Sequence, residues 1–433
     1  MESWQSTGTS GVRSFRSPIG RTPATSPTTP RISTPRSRRS SGARPNDKAA
    51  LAMTLKLNGY STAQFGKCHE VPPWQTSPVG PFDAWPSGGG GFEHFYGFIG
   101  GENNQHYPAL YDGFAPVEPD RTPEEGNHLT EDLADRAIDW MRTQKALAPD
   151  KPFFMYFAPG PTHAPHHVPV EWADKYAGKF AAGWDAQREA TFARQQESGA
   201  VPADATLTPR PDAIPAWDDM PDDLKAVLER QMEVYAGFLE HTDFHVGRLI
   251  DSIESIGALD NTLIFYIIGD NGASAEGTLN GAFNEMANFN GLAAIETPEL
   301  LESVKDKLGT VDAYNHYSVG WAWAMCTPHQ WTKQVASHWG GTRNGTIVHW
   351  PAGIAAKGEV RSQFTHVIDV APTAAIWLVE NINDAIMYPP TRVGSSRSPT
   401  NAPVRSAVGS GATGVVVNVR FSVVAASLNP AET

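Results

Sequence analysis

The amino-acid sequence predicts an α/β protein with a doubly wound, mixed sheet flanked by helices. Short β-rich runs alternate with amphipathic helical stretches through the middle of the 433-residue chain, which is the pattern of layered α/β domains. The apolar run TLIFYIIGD at residues 262–270 is typical of a strand that is buried on both faces. A chain of this length can bury a core large enough for such a fold.

Other segments predict the elements around this strand. The run FFMYFAP at residues 153–159 is predicted as a second strand, and GTIVHWP at residues 345–351 as a third. A helix capped by Thr130 is expected before the second strand, and a long helix is expected from about Asp222 towards Ile256. The apolar face of the first helix consists of Leu133, Ala137, Ile138 and Met141.

The composition divides the chain into three parts. Residues 1–47 are rich in Ser, Arg, Thr and Pro and poor in apolar residues, so we expect disorder there. Residues 48–378 hold the predicted domain, and residues 379–433 are expected to form an irregular tail. Within that tail, the Val/Ala-rich run at residues 407–427 could form a hairpin, with no predicted tie to the body.

Charge and composition argue against several classes of function. The formal net charge of -13 argues against nucleic-acid binding as the main role. No apolar run is long enough to span a membrane and no secretory signal pattern is present, which favours a cytoplasmic protein. Cys68 and Cys326 match no zinc pattern and are expected to be free thiols.

The strand at residues 262–270 ends in Asp270, which is followed by Asn271 and Gly272. An α/β sheet places its ligands at the carboxyl ends of its strands. Adjacent carboxylate and amide oxygens suit a hard cation such as calcium or magnesium. Asp-Asn-Gly is also an ordinary turn sequence, so these residues alone leave both a metal site and a turn open.

Lys67 and His69 form a second candidate site after a strand-like segment. They lie two residues apart, so in an extended chain they project to one side while Cys68 faces the other. A cation beside an imidazole can hold an anionic ester and its leaving oxygen. A surface Lys-x-His without function is the alternative.

Two later segments add further candidates. His163 lies closest to the end of the second strand and is predicted to bind a metal or an anion, whereas His166 and His167 are expected in a polar surface loop. Lys333 precedes a Gly-Gly pair and a strand, and paired glycines permit a close backbone approach. From the residues alone, Lys333 can equally be an exposed surface cation.

Taken together and in this order, these segments resemble the sulfatase family, most closely the bacterial arylsulfatases. The matching stretches are GYSTAQFGKCHE, FFMYFAPGPTHAPHHVP, LIFYIIGDNGASAEG and TKQVASHWGGTRNGTIVHWP, and the resemblance covers residues 48–375. It implies an alkaline phosphatase-like fold and hydrolysis of a small aryl sulfate ester. It also implies a divalent ion, calcium rather than magnesium, with Asp270 and Asn271 among its ligands.

The resemblance implies a role for each of the other candidates. Lys67 and Lys333 would bind the sulfate oxygens, with Lys333 also near the leaving group. His69 would assist breakdown of the covalent intermediate, and His163 would bind the substrate and protonate the leaving oxygen. Aromatic residues that could line an aryl pocket are Trp74, Trp85, Tyr107 and Trp321.

The sequence departs from the family near its N-terminus. Sulfatases carry an early Cys-x-Pro-x-Arg or Ser-x-Pro-x-Arg signature, whose first residue becomes the formylglycine nucleophile, and an Asp-Asp pair that supplies metal ligands. Neither stands there, since Cys68 is followed by His-Glu-Val and Cys326 by Thr-Pro-His. We therefore expect impaired turnover, and a reading frame that is wrong or truncated at both ends would explain the departure.

Two other functions are compatible with the same residues. A hydrolase of phosphate or phosphonate esters from the same superfamily is one, although Lys67, His69 and Lys333 together favour sulfate. The other is a non-catalytic relic that binds a metal or an anion. Calcium binding without turnover would support the relic.

Overall fold

The computed structural model describes residues 49–269, 271–378 and 421–427. Within them, eight strands form one mixed sheet with helices on both faces, so the predicted α/β class is confirmed. The strands are β1 (Ser61–Cys68), β2 (His94–Ile99), β3 (Leu110–Asp112), β4 (Ala115–Val117), β5 (Phe153–Ala158), β6 (Thr262–Ile268), β7 (Thr346–His349) and β8 (Phe421–Ser427). The helices are α1 (Leu51–Leu57), α2 (Leu129–Leu147), α3 (Val170–Asp174), α4 (Gly183–Glu197), α5 (Asp222–Ser255), α6 (Glu285–Phe289), α7 (Pro298–Ser303), α8 (Val319–Met325) and α9 (Val370–Leu378).

The strand order brings four strand ends to one edge of the sheet. The order is β4-β3-β2-β1-β5-β8-β6-β7. Strand β1 pairs in parallel with β2 and with β5. Strand β8 is antiparallel to both β5 and β6, so β6 runs in the same direction as β5. The carboxyl ends of β1, β2, β5 and β6 therefore share the edge at which α/β sheets bind ligands.

Alternate side chains of the central strands pack against different helices. Met155 and Phe157 of β5 are buried with the apolar side chains of α2 and α5, whereas Phe154 is buried with those of α1 and α9. This alternation covers both faces of the sheet, which explains why the central strands are continuously apolar. Each fully buried side chain of this size contributes about 1.5–3 kcal/mol by leaving water.

The start of α2 differs from the prediction. The helix begins at Leu129, and its N-cap is His128, whose Nδ1 accepts a hydrogen bond of 3.2 Å from the Thr130 backbone N–H. Thr130 therefore lies in the first turn, and its prediction as the cap is wrong. The predicted apolar face is buried as expected, because Leu133, Ala137, Ile138 and Met141 are all at most 7% exposed.

The C-terminal strand also differs from the expectation for the tail. Residues 407–420 of the Val/Ala-rich run lie outside the described residues, and residues 421–427 form strand β8. It inserts between β5 and β6 and pairs with both, for example with Ala425 opposite both Met155 and Ile264. Backbone hydrogen bonds on two sides therefore hold this segment in the centre of the sheet. Among the described helices, none has the length and apolar character needed to cross a bilayer.

Candidate active site

Lys67 and His69 both contact the loop that follows β2. Lys67 lies near the end of β1, is 7% exposed, and donates a hydrogen bond from its Nζ to the carbonyl oxygen of Gly101. His69 follows β1, and a Cβ added to Gly101 would lie 2.9 Å from His69 Cε1. A larger residue at position 101 would displace the imidazole of His69, which is exposed, from this loop. The two residues that sequence analysis placed on one side of an extended chain both contact Gly101.

His163 and Lys333 form the second half of the site. His163 follows β5, and its side chain is 17% exposed. The Nζ of Lys333 lies 3.2 Å from the Nε2 of His163, although the two residues are 170 positions apart. Lys333, whose side chain is 14% exposed, is therefore not the exposed surface cation that was the alternative.

Glycines allow the loop of Lys333 to approach the segment after β6. The backbone N–H of Lys333 donates a 2.8 Å hydrogen bond to the carbonyl of Ala273. A Cβ added to Gly272 would clash with the carbonyl oxygen of Gly340, so neither loop could hold this position with a larger residue at 272. A Cβ on either paired glycine would also clash, at Gly340 with the carbonyl oxygen of Trp331 and at Gly341 with that of Val335, which supports the interpretation of a close backbone approach.

Glu276 compensates the charge of Lys333 and was missed by the sequence analysis. Its Oε2 lies 3.2 Å from Lys333 Nζ and accepts a 2.7 Å hydrogen bond from Ser274 Oγ. Its Oε1 accepts a 2.9 Å hydrogen bond from Gln334 Nε2. Burial alone would raise the pKa of Glu276, but the Ser274 hydrogen bond and the Lys333 ammonium outweigh burial and lower this pKa. Glu276 is therefore an anion at neutral pH.

Glu102 links the two halves of the site and was also missed. It follows Gly101, and its Oε2 lies 3.7 Å from His163 Nδ1. Tyr314 donates a 3.2 Å hydrogen bond to its Oε1. Burial raises the pKa of Glu102, whereas the Tyr314 hydrogen bond and the Lys67 ammonium act in the opposite direction. The sequence signal was a Gly-Gly-Glu directly after β2, at the same edge of the sheet as the other candidates.

A third carboxyl group, Glu285, is buried beside these residues. Glu285 is 1% exposed, and its Oε1 has no hydrogen-bond partner among the described residues. Burial, followed by the charges of Glu102 and Glu276, raises its pKa to about 9, and Lys333 only partly opposes this. Glu285 is therefore neutral near pH 7 and adds no negative charge to the site.

The predicted metal ligands are only partly within the described residues. Asn271 follows β6 and is half-buried, whereas Asp270 lies outside the residues that the structure describes. Within the described ranges, no three His, Cys, Asp or Glu side chains are arranged so that they could hold a metal ion. Of the two predicted ligands, only Asn271 is described, and its single amide oxygen does not make a calcium site. Asp270 and Asn271 therefore stay predicted ligands.

The two cysteines are free thiols, as predicted, and both are buried. Burial raises the pKa of Cys68 to about 12 and that of Cys326 to about 12. Cys68 packs with Trp85 and Phe95, and Cys326 donates a 3.3 Å hydrogen bond from Sγ to Gly340. A thiol that is protonated and buried is a poor nucleophile, so the surroundings of both cysteines are those of structural residues.

His166 and His167 are not in a polar surface loop. They are 1% and 0% exposed, and the Nε2 of His167 lies 2.7 Å from the carbonyl oxygen of Ala313. Burial lowers the pKa of His166 far below its usual value and that of His167 to about 3. The prediction for these two residues is therefore wrong, because the proline-stiffened loop turns into the core immediately after His163.

An apolar cavity of about 370 Å³ borders the site. Its wall includes Ala275 and Thr332, which are the chain neighbours of Glu276 and Lys333. Its larger lining side chains are Ile214, Leu279, Val319, Trp323 and Trp331.

The aromatic residues suggested for an aryl pocket lie elsewhere. Trp85 and Trp321 are 0% exposed within the hydrophobic core, and Trp74 and Tyr107 are 61% and 56% exposed. None of the four lines this cavity. An aromatic residue in the sequence does not reveal whether it packs in the core or borders a cavity, and this explains the miss.

The fold and the site define a class: an α/β protein that gathers two ammonium groups and two imidazoles at the ligand-binding edge of its sheet. A family model described as Sulfatase matches residues 7–380 of the chain. This match covers most of the sequence, so the chain belongs to the sulfatase family, as the resemblance predicted. The family suggests a sulfuric ester hydrolase and typically uses a divalent metal.

Two relatives illustrate the relationship. An uncharacterized sulfatase of Schizosaccharomyces pombe is 28% identical over 336 residues, which are 76% of this chain and 58% of the relative. An arylsulfatase of Klebsiella aerogenes is 26% identical over 330 residues, which are 75% of this chain and 66% of the relative. The chain thus spans less than two thirds of the length of each.

Two solved structures are similar to this chain over most of its length. Ps i-CgsB, solved in complex with k-i-k-neocarrahexaose, is 18% identical with a TM-score of 0.45 over 77% of this chain and 53% of that protein. The PsFucS1 sulfatase from Pseudoalteromonas sp. is 17% identical with a TM-score of 0.41 over 76% and 50%.

Proposed function

We propose that this chain carries the site of an arylsulfatase-type sulfuric ester hydrolase that acts on a small aryl sulfate ester. The observation that carries the proposal is the convergence of Lys67, His69, His163 and Lys333 at the carboxyl ends of β1 and β5. A sulfate monoester carries one negative charge, and cleavage of its ester bond moves charge onto the leaving oxygen. Ammonium groups stabilise the sulfuryl oxygens, and an imidazole can transfer a proton near neutral pH.

The proposed roles follow the family. Lys67 and Lys333 bind the sulfuryl oxygens, and Lys333 also lies close to the leaving oxygen. His163, in contact with Lys333 through Nε2, is the proposed proton donor to the leaving group. His69, beside Lys67 across Gly101, is the proposed residue that assists breakdown of the covalent intermediate.

For the metal, we propose calcium rather than magnesium, with Asp270 and Asn271 among its ligands. Support comes from the family, which typically uses a divalent metal, and from the hard oxygen donors of both side chains. The described residues do not complete a site, so no step of the reaction is assigned to the ion.

The apolar cavity supports an aryl leaving group. A sugar requires hydrogen-bond partners for its hydroxyl groups, whereas the cavity wall is built mainly from Ile214, Leu279, Val319 and two tryptophans. An aromatic ring loses no hydrogen bonds on entering such a wall and removes apolar surface from water. Thr332 and Ala275 of this wall are the chain neighbours of Lys333 and Glu276, so the cavity lies next to the segments that carry these two residues.

We further propose that turnover by this chain is impaired. Neither cysteine stands in a Cys-x-Pro-x-Arg signature, and both thiols are buried with a raised pKa. None of the candidate site residues is a cysteine or a serine, the residue types that provide the formylglycine nucleophile of the family. The proposal is therefore a site that binds a sulfate ester and turns it over slowly.

The test compares the release of 4-nitrophenol from 4-nitrophenyl sulfate and from 4-nitrophenyl phosphate, with calcium present. The variants are Lys333→Ala, Asp270→Ala and, as a control at an exposed lysine, Lys357→Ala. Slow sulfate hydrolysis that is lost in Lys333→Ala and kept in Lys357→Ala supports the proposal. Preference for the phosphate ester contradicts it, and sulfate hydrolysis at an ordinary enzymatic rate contradicts the impairment. Complete absence of turnover in a folded chain favours the non-catalytic relic.

A further inference from the structure

Four ionisable side chains lie in a row across the site: Glu102, His163, Lys333 and Glu276. Glu102 Oε2 is 3.7 Å from His163 Nδ1. His163 Nε2 is 3.2 Å from Lys333 Nζ, and Lys333 Nζ is 3.2 Å from Glu276 Oε2. The imidazole and the ammonium therefore stand between two carboxyl groups, one on each side.

The neighbours of His163 determine which of its nitrogens carries the proton. Its Nδ1 faces acceptors, namely the carbonyl oxygen of Ala164 at 2.9 Å and the carboxyl group of Glu102. Its Nε2 faces the Lys333 ammonium, which can only donate. The arrangement that satisfies all of these contacts is a neutral imidazole with its hydrogen on Nδ1 and its lone pair on Nε2 directed at Lys333.

Both carboxyl groups are themselves held by hydrogen bonds from several elements. Glu276 accepts from Ser274 Oγ and from Gln334 Nε2, and Gln334 adopts a left-handed backbone with φ of 75° to make this contact. Glu102 accepts from Tyr314. A non-glycine residue stays in a left-handed conformation only where its surroundings hold it. The conformation of Gln334 therefore indicates that its hydrogen bond to Glu276 is a specific contact.

We propose that Glu102 and Glu276 are positioning residues for the pair of His163 and Lys333. Glu102, together with the carbonyl oxygen of Ala164, favours the His163 tautomer with hydrogen on Nδ1, and Glu276 orients the Nζ of Lys333 towards Nε2. The proposal deepens the proposed function, since it assigns how the leaving-group side of that site is oriented. In the free site the proton between the two residues is thereby placed on Lys333, and His163 can donate to the leaving oxygen once this proton passes from Lys333 Nζ to His163 Nε2.

Other charged and titratable groups face the same pair. Lys333 and Glu276 are within electrostatic reach of Glu285 and His316, and Glu102 is within reach of Lys67. His166 lies next to His163 along the same loop. Glu285, His316 and His166 are buried and uncharged near pH 7, so among the described residues named here Glu102 and Glu276 are the acidic groups that can balance the charge of Lys333.

The experiment is a long-range ¹H–¹⁵N correlation spectrum of the full chain labelled with ¹⁵N-histidine, in which His163→Gln identifies the His163 signals. The imidazole nitrogens of the two neutral tautomers have distinct chemical shifts, so the spectrum reports the proton position without any turnover. The variants are Glu102→Gln and Glu276→Gln, with Glu189→Gln as a control at an exposed glutamate of α4. Tyr314→Phe removes only the hydroxyl group that holds Glu102, and serves if Glu102→Gln does not fold.

We expect the wild-type signal to be that of the Nδ1–H tautomer. Glu102→Gln, or Tyr314→Phe to a smaller extent, should mix in the Nε2–H tautomer, and Glu276→Gln should shift the Nε2 resonance by weakening its hydrogen bond from Lys333. Glu189→Gln should change neither signal. A wild-type His163 with its hydrogen on Nε2, or spectra that are identical in all variants, would overturn the proposal.

The outcome is separable from the fate of the proposed function. If aryl sulfate does not bind but the tautomers behave as expected, the sulfate ester assignment fails and the positioning role stands. If aryl sulfate binds through Lys333 and the tautomer is insensitive to both glutamates, the positioning role fails and the function stands.

Discussion

At the scale of single residues, the candidate site is defined by how each charged side chain is compensated. Lys67 donates to a backbone carbonyl, and Lys333 contacts a carboxylate and an imidazole. Lys67 and Lys333 are largely buried, and a buried charged group is costly unless polar partners of this kind surround it. In the proposed function, an anionic substrate would replace part of this compensation.

Glu285 offers a test of the electrostatics at residue scale. A carboxyl group whose pKa rises from 4.5 to about 9 on folding stabilises the fold below pH 4.5, and this contribution is lost as the pH rises towards 9. A glutamine at this position cannot ionise. We therefore predict that wild type loses stability relative to Glu285→Gln between pH 5.5 and pH 7.5, by on the order of 2 kcal/mol.

The measurement is the free energy of unfolding in urea at both pH values, with Glu189→Gln as the exposed control. A constant difference between wild type and Glu285→Gln across this pH range would show that Glu285 is charged in the folded protein, which would contradict its burial as a neutral acid.

At the scale of secondary-structure elements, glycines in β1 and its neighbours allow the site to form. Gly66 lies opposite Gly97 of β2 and Ala158 of β5, and its φ is +102°. A Cβ at this position would clash with the carbonyl group of Ala158. The next residue is Lys67, so the backbone conformation of Gly66 directly determines where the ammonium leaves the strand.

We predict that Gly66→Ala destabilises the protein by roughly 2 kcal/mol or more, because it combines a steric clash with a conformation that alanine rarely adopts. Gly247→Ala in α5 is the matched control. Gly247 has open space around its Cα, so alanine there should stabilise the helix by about 0.5–1 kcal/mol. Unfolding in urea measures both, and equal effects of the two substitutions would contradict the strand argument.

The elements with a strong local pattern could be predicted from the sequence. The apolar run at residues 262–270 corresponds to β6, Thr262–Ile268, and the long amphipathic stretch corresponds to α5, Asp222–Ser255. The Val/Ala-rich run at residues 407–427 indicated β structure, but the insertion of β8 between β5 and β6 could not be predicted, because these partners are distant in the sequence. The cap of α2 was assigned to Thr130 because hydroxyl caps are common, whereas the His128 ring takes that role.

At the scale of the whole molecule, buried histidines connect the loop after β5 with α2 and α5. His128 contacts His106 and His241 through their rings, and His241 Nε2 lies 3.2 Å from His245 Nε2. His106 stacks on His167. Burial is the first cause that lowers the pKa of each, to about 3 for His167 and His241 and to about 4 for His245.

This cluster predicts a loss of stability in mild acid. A histidine whose pKa falls on folding is neutral in the fold, so its contribution to stability is complete above pH 6.5 and is lost as the pH falls below that value. For one histidine with a folded pKa of about 3, the loss between pH 7.5 and pH 5 is about 2 kcal/mol. We therefore expect the free energy of unfolding to fall by at least this amount over that range.

Two variants test whether the histidine cluster causes this pH dependence of stability. His245→Gln removes one member of the cluster and should reduce the pH dependence, whereas His338→Gln, at an exposed histidine, should leave it unchanged. Stability that is independent of pH between 7.5 and 5 would contradict burial of these histidines in the neutral form.

The candidate site was predictable only in part, because its contacts join positions that are distant in the sequence. Lys67, His163 and Lys333 could be named because each lies in a segment that resembles the family. Their partners Glu102 and Glu276 were missed, because a Gly-Gly-Glu after β2 and a glutamate within a family-like segment do not show which side chain each will face. The contact between His163 and Lys333 joins positions 170 residues apart, which only the complete sheet brings together.

The most direct test of the central claim is the binding of 4-nitrophenyl sulfate, measured by isothermal titration calorimetry with wild type, Lys67→Ala, Lys333→Ala and the exposed control Lys357→Ala. A hydrogen bond to a charged group contributes about 1.5–3 kcal/mol, so we predict that each of the first two substitutions weakens binding about 10- to 100-fold. Lys357→Ala should bind as wild type does. Absence of binding to wild type, or equal affinity in all four proteins, would contradict a sulfate ester site built from Lys67 and Lys333.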